Sequence, residues 1–376
     1  MSVIVEVTAR DPRVGLSKLL RLPLGLDVWE VRPPDQAVLR TTEAQAERLA
    51  HMGYAVDQLH ETDRYLGMFA TADAMAGYHS VESLAQDMRT LAEQHPEIAE
   101  LHEIGRSIEN RPILALRLGE RKNSTTKVLF MGCHHAREWI SVEVPFRLAD
   151  HLVNNASQAP VSTWLSKAEI WVAPMVNPDG HEFTRTHNRL WRKNRRHNHD
   201  GSIGVDPNRN YGYMWGTLDV ATSSHTPSDE TYVGPKAFSE PETQAVRNLV
   251  GRELFAGVLT YHSYSQLILH PWGYTDKPIV DAADRTKMEK LGDRMAKVIK
   301  DVHGKVYKPE QSSELYPTAG DTTDWTYGEY GIPSFTIELR PTTQAEGGFI
   351  LPASQIQPTW EENRPAAEEL LKALIH

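Results

Sequence analysis

Four short polar clusters hold the residue types that hydrolysis needs. His135-Ala-Arg-Glu138 offers an imidazole and a carboxylate within one tight turn, and His262 offers a second imidazole far along the chain. Glu338 supplies a further acid near the C-terminal end. A catalytic zinc takes three nitrogen or oxygen ligands and keeps a fourth position for water. His135, Glu138 and His262 can fill those three places, which leaves Glu338 as the general base that takes a proton from the water. The thermolysin-type helix with two histidines four apart is absent from the sequence. Asp206 is a candidate partner for the second ring nitrogen of His135, which must be held if the first is to bind a metal.

A single His-x-x-Glu pair is weak, and a lone histidine at a strand end is more often structural than a ligand. Common placement carries the reading. Val128 to Met131 leads into Gly132 to Glu138, and Ile170 to Pro174 into Asn177-Pro-Asp-Gly180. Val258 to Tyr261 leads into His262-Ser-Tyr264, and Phe335 to Ile337 into Glu338-Leu-Arg340. Each apolar run reads as a strand, and open α/β sheets bind ligands where their strands end. His134 is expected to be a neighbour with no metal role. His187, His197 and His199 are expected in solvent, and Cys133 as a buried thiol.

Two units must position these residues. From Tyr78 onward helix and strand patterns alternate, which predicts an α/β fold: a mixed, mostly parallel sheet with helices on both faces. A helix is expected over 80–95 and another over 362–375, with strands over 127–131, 169–174, 256–261 and 333–337. The first 70 residues predict a small α+β ferredoxin-like unit. Its strands are expected over 3–7, 26–31, 37–41 and 54–59. One helix follows a capping Asp11 up to Leu20, and another follows Thr42 up to Met52, ending at Gly53. Thr62 to Gly77 is polar and small-residue rich, which predicts an exposed connector, with residues 71–77 as a cleavage region between the two units.

The chain has 376 residues, 40% apolar and 24% charged, the balance of a globular protein. Its net charge of −10 argues against a nucleic-acid partner. No apolar run is long enough to span a membrane. One cysteine excludes an internal disulfide, and the N-terminus lacks the pattern of a signal peptide. A secreted, extracellular enzyme whose leader lies outside this numbering is expected, with the cytoplasm left open.

Six motifs together resemble the zinc carboxypeptidases of the carboxypeptidase A/B type. They are His135-Ala-Arg-Glu-Trp-Ile140, Asn177-Pro-Asp-Gly180, Asn188-Arg-Leu-Trp-Arg-Lys193, Gly204-Val-Asp-Pro-Asn-Arg-Asn210, His262-Ser-Tyr-Ser-Gln266 and Ser334-Phe-Thr-Ile-Glu-Leu-Arg340. The resemblance implies one zinc per chain on His135, Glu138 and His262, with Glu338 as general base. It implies that Arg192 polarises the scissile carbonyl and stabilises its oxyanion. Asn208 and Arg209 match the pair that holds the terminal carboxylate, and Tyr316 the mobile tyrosine that closes over it. Arg137, Tyr264 and Phe349 match outer substrate contacts. An arginine fork suits a carboxylate, and a second arginine suits charge developing on a tetrahedral intermediate.

The pocket for the last side chain is implied to include Leu269, Gly273, Leu315, Thr318, Asp321 and Thr323. The pair Asp321 and Thr323 resembles the bacterial carboxypeptidase T branch, which implies acceptance of both apolar and basic C-terminal residues. Pro341 stands where many relatives have Asp. The N-terminal unit fits a pro-domain, so the expected partners are peptide or protein C-termini and an activating protease, for a monomeric enzyme. The competing readings are a related zinc hydrolase acting on cell-wall peptides or N-acyl amino acids, and a non-catalytic binding protein on the same fold.

Overall fold

The computed structural model describes residues 2–10, 15–120 and 126–375; the expected Asp11 cap lies outside them. Strands β1 (Ser2–Thr8), β2 (Asp27–Arg32), β3 (Gln36–Thr42) and β4 (Ala55–Glu61) form one antiparallel sheet in the order β2-β3-β1-β4. Helices Leu16–Leu20 and Glu43–His51 complete the ferredoxin-like pattern, the second fixed by a Thr42–Gln45 capping box. Side-chain alternation on β1 shows why its sequence is apolar almost throughout. Val3, Val5 and Val7 pack with Leu16, Leu19 and Leu49 beneath the helices. Ile4 points the other way, into a cluster with Trp29, Val38, Tyr65, Leu190, Tyr264 and Phe349. The far face of this small sheet is therefore buried against the larger unit.

The connector differs from expectation. Thr62–Phe69 and Ala72–Met75 are helices. Tyr65, Leu66 and Phe69 recur at helical spacing and pack into that same cluster. Tyr65 is fully buried, and its hydroxyl donates to the Gly347 carbonyl at 2.6 Å. Polar composition hid an amphipathic helix.

The larger sheet contains β5 (Ala99–Arg106), β6 (Pro112–Leu118), β7 (Thr126–Gly132), β8 (Ala168–Ala173), β9 (Gly257–Ser263), β10 (Leu267–His270), β11 (Lys308–Gln311) and β12 (Ser334–Leu339). Its order is β11-β10-β12-β9-β7-β8-β6-β5. The central strands β12, β9, β7 and β8 are parallel neighbours. Phe130 and Val128 on β7 belong to one core with apolar residues of helices Ile140–Asn154, Ala282–His303 and Ile356–Leu374, while Leu129 and Met131 belong to another with residues of Pro241–Glu253 and Thr322–Tyr330. Burial on both faces accounts for the unbroken apolar run of a central parallel strand. The four expected strands are β7, β8, β9 and β12, and the helix after Ser80 runs Val81–Gln94. Because these four strands run the same way, their carboxyl ends open on one edge of the sheet, and the small N-terminal sheet sits over that edge.

Candidate active site

Gly132 ends β7 where no side chain fits: an added Cβ would lie 1.9 Å from the Ser141 carbonyl oxygen. The chain then turns tightly, tied by Ser141 Oγ accepting from the Cys133 amide at 3.0 Å and donating to the Glu138 carbonyl at 2.6 Å. Asn177, from the Asn-Pro-Asp-Gly motif, caps helix Pro178–Thr186 by accepting from the Gly180 amide. Its Nδ2 donates to the carbonyls of both His134 and Lys193, so this turn and the Arg192 loop are held as one piece.

That turn places His135 and Glu138 beside His262 at the end of β9. One ligand atom from each lies within 4.8 Å of the others, and all three residues are buried. His135 Nδ1 is 2.7 Å from Glu138 Oε1 and 3.1 Å from His262 Nδ1, which is 3.0 Å from Glu138 Oε2. His135 Nε2 lies 3.2 Å from Asp206 Oδ1. A carboxylate only accepts, so the Nε2 proton of a neutral His135 goes to Asp206 and the Nδ1 lone pair faces Glu138. Acceptors packed this closely need a shared cation, and two imidazoles with one carboxylate suit zinc. Burial would raise the Glu138 pKa, but His135 and His262 outweigh it and hold the carboxyl well below its ordinary range. Burial lowers the His262 pKa, which favours the neutral ring that binds metal.

Glu338 is the direct neighbour of His262, paired with it in register between β12 and β9. Burial, and then the nearby Glu138 charge, push its pKa well above an ordinary carboxylate. Asp206 is a buried hub. Besides His135 it accepts from Arg192 Nε and Nη2 at 2.9 and 2.8 Å and from the Asn208 amide at 2.9 Å. Burial opposes its ionisation, yet the Arg192 guanidinium, with His135 and Arg209 nearby, holds its pKa well below the usual value. Arg209 donates from Nε to the Thr222 carbonyl at 2.6 Å and from Nη1 to the Asn208 carbonyl at 2.8 Å, and neither bond uses Nη2. Asn208, Arg209, Leu269, Leu315, Tyr316, Thr318, Asp321, Thr323 and Glu338 line one recess with His135.

Residues 84–366 match the family model of the zinc carboxypeptidases. Carboxypeptidase B of Astacus astacus is 36% identical over 294 residues, covering 76% of this chain and 93% of that protein. Carboxypeptidase O of Bos taurus is 35% identical over 301 residues, 78% of each. The chain belongs to the zinc carboxypeptidase family. The crystal structure of carboxypeptidase A from Helicoverpa armigera shares the fold at a TM-score of 0.86 and 24% identity, over 99% of this chain and 97% of that one. Thrombin activatable fibrinolysis inhibitor does so at 0.81 and 23%, over 99% and 98%. Both structural matches extend across the N-terminal sheet.

In this carboxypeptidase the N-terminal sheet closes the site. Asp27 on β2 accepts from Arg137 Nη2 at 2.7 Å and Nη1 at 2.8 Å, and Arg40 Nε lies 3.0 Å from it. Arg40 also pairs with Glu230 at 2.5 Å, so the charges interlace across the two units. Burial opposes the Asp27 charge, but Arg137 and then Arg40 hold its pKa far below the carboxylate range. The Arg137 guanidinium stacks on Phe349, 3.9 Å from the ring centre. Glu30 accepts from the Gln344 amide and lies 3.4 Å from the Tyr264 hydroxyl. About 20 Å³ remains between β2 and His135, Glu138, Arg192 and Glu338, room for roughly one water.

All the anticipated site residues thus gather at one edge of the large sheet: His135, Glu138, His262, Arg192 and Glu338 at its centre, with Arg137, Tyr264 and Phe349 beneath β2. His187, His197 and His199 are exposed and Cys133 is buried, as anticipated. Arg195 and Arg196, which their place in a basic run would leave solvated, are instead held by neighbours. Arg195 stacks on Phe183 and Trp191, and Arg196 pairs with Glu240. Sequence reasoning missed Asp27, Arg40, Glu230 and Glu30, because nothing local marks a charge whose partner lies in another unit. It also missed the buried contacts of His134 and Thr322.

Proposed function

We propose that this enzyme removes single C-terminal residues, both apolar and basic, from peptides and proteins, and that it is made as a zymogen. The observation that carries the reading is the zinc-type donor set beside an unligated acid, with an arginine-and-amide recess alongside. His135, Glu138 and His262 would hold the zinc, which would supply Lewis-acid activation of water and of the scissile carbonyl. Glu338, unligated and beside His262, takes the proton of the attacking water and delivers it to the leaving amine. Arg192, oriented by Asp206, stabilises negative charge on the scissile oxygen. Asn208 Nδ2 and Arg209 Nη2 hold the terminal carboxylate, which sets the cut one residue from the end. Tyr316 closes over that residue.

Asp321 supports the breadth of the pocket. Its Oδ1 accepts from Thr323 Oγ1 and the Asp324 amide, and its Oδ2 from Thr318 Oγ1. It therefore caps helix Thr322–Tyr330, and Oδ2 keeps a lone pair for a cationic side chain. Thr323 gives a floor that neither pairs with a cation nor repels a methylene chain. The closed N-terminal sheet leaves about 20 Å³ beside His135, Glu138, Arg192 and Glu338, too little for a peptide, which supports removal of residues 1–70 within the 71–77 connector as the activating step.

Zinc analysis combined with mass spectrometry of peptides, before and after limited proteolysis, tests the proposal. One zinc per chain and stepwise loss of terminal residues after proteolysis are expected. Hydrolysis of N-acyl amino acids with no peptide shortened would replace this reading with the other hydrolase.

A further inference from the structure

His134 is fully buried, one residue before a zinc ligand, and its ring stacks on His262 at 5.4 Å with 16° between planes. It reaches no metal-directed position. Its Nε2 lies 2.8 Å from the Tyr211 hydroxyl and 3.2 Å from Thr322 Oγ1, and its Nδ1 lies 3.4 Å from Thr260 Oγ1. Thr322 is also fully buried, and it faces Asn208. Its backbone amide is 3.0 Å, and its hydroxyl 2.7 Å, from Asn208 Oδ1.

These contacts fix directions. A backbone N–H can only donate, so the Asn208 atom facing Thr322 is the carbonyl oxygen, and Nδ2 lies on the recess side. The Thr322 hydroxyl has one proton, and that proton is committed to Asn208. It must then accept from its other neighbours, and a His134 Nε2–H, shared with the nearer Tyr211 hydroxyl, is placed to donate to it. Were Nε2 bare, it would compete with Asn208 Oδ1 for the Thr322 hydroxyl proton and leave the Thr322 backbone amide as the remaining Thr322 donor to that carbonyl, a looser hold on the amide. The chain of donors runs from Thr260 through His134 and Thr322 to Asn208, and such chains strengthen each member.

We propose that His134 is a positioning residue: through Thr322 it locks the Asn208 amide so that Nδ2 is always presented to the terminal carboxylate of the substrate. This rests on the reading of Asn208 and Arg209 given above. Thr322 opens the helix that Asp321 caps, so the carboxylate anchor and the floor of the side-chain pocket are built on one rigid helix start.

The test uses the full-length, zinc-loaded chain, given the same brief protease treatment for every variant, with a capped dipeptide ending in Phe as substrate. His134→Leu and Thr322→Val remove links of the chain. His134→Gln retains a donor near the Nε2 position, and Thr322→Ser retains the hydroxyl. Loss of one neutral hydrogen bond predicts a rise in KM of roughly 3–10-fold for the first two variants, with kcat changed less. His134→Gln and Thr322→Ser should stay near the wild type. The double variant His134→Leu/Thr322→Val should be no worse than either alone, since both break one chain.

Zinc content by metal analysis and the binding constant of free L-phenylalanine, measured by calorimetry, complete the set. His134→Leu with one zinc per chain and an unchanged KM would overturn the proposal. If His134→Leu loses zinc or fails to fold, Thr322→Val decides, and an unchanged KM there overturns it equally. Asn208→Ala separates the two levels of argument. If it too leaves KM and L-phenylalanine binding unchanged, the assignment of the carboxylate anchor fails first.

Discussion

Replacing Asp27 by Asn probes the closure of the site by the N-terminal sheet. The change keeps the shape of the side chain and removes the charge held by Arg137 at 2.7 and 2.8 Å and by Arg40 at 3.0 Å. Removing one member of a buried ion pair costs about 3–5 kcal/mol. Arg40 keeps Glu230, and Arg137 keeps the Phe349 ring, so the lower end applies, ~3 kcal/mol. In the open state both guanidinium groups reach water, and the cost therefore falls on the closed state. At 1.4 kcal/mol per factor of ten, the open fraction rises roughly 100-fold. The assay is turnover of a C-terminal peptide by the uncleaved chain, its integrity checked by mass. Uncleaved Asp27→Asn should show about 100-fold more activity than uncleaved wild type by that conversion, up to the level of the cleaved enzyme, while the two cleaved enzymes match. Glu6→Gln, which breaks the partly exposed Arg32 pair on the same sheet, should change nothing. Uncleaved Asp27→Asn that carries zinc yet stays as silent as the wild type would show that the Asp27 ion pairs do not hold the site closed. The pH dependence follows in sign. Asp27 has a depressed folded pKa, so its contribution is present above the unfolded value of about 3.8 and is lost as pH falls through the folded value. Acid, not neutral pH, should loosen the closure.

Glu338→Gln should lower kcat roughly 10²–10⁴-fold, the range for loss of a general base, with one zinc still bound by metal analysis. Asp321→Asn keeps a helix-capping oxygen and removes a charge. It should lower kcat/KM for peptides ending in Lys or Arg by roughly 10–100-fold, as expected for a charged hydrogen bond, and leave Phe and Leu ends nearly unchanged. His79 is held between Glu143 at 2.8 Å and Asp87 at 3.1 Å, and although burial lowers its pKa, these carboxylates raise it above 6.5 overall. The stability it contributes is complete below pH 6.5 and is lost as pH rises through the folded value. Thermal melts should thus show a drop of roughly 1–3 °C across that window in the wild type, and a flatter profile in His79→Gln.

The zinc-type donor set and the scaffold that carries it were legible in the sequence. Val128 to Met131 and Val258 to Tyr261 are short apolar runs that end abruptly in His135-x-x-Glu138 and His262, and a strand buried on both faces has no other composition available to it. The α/β order and the family followed from the same stretches. The outer strands were harder to read. Lys308-Pro-Glu-Gln forms β11 at a sheet edge, where the neighbouring strand supplies the order that local propensity lacks. Tertiary structure alone decided what lies against what. Asp27 is an ordinary acid in an ordinary strand until folding places Arg137, 110 residues away in sequence, against it. Asn208 has no orientation until Thr322, 114 residues later, offers it two donors. Periodicity and turn chemistry act over a few residues, whereas ion pairing and amide orientation depend on distances that only the packed chain defines.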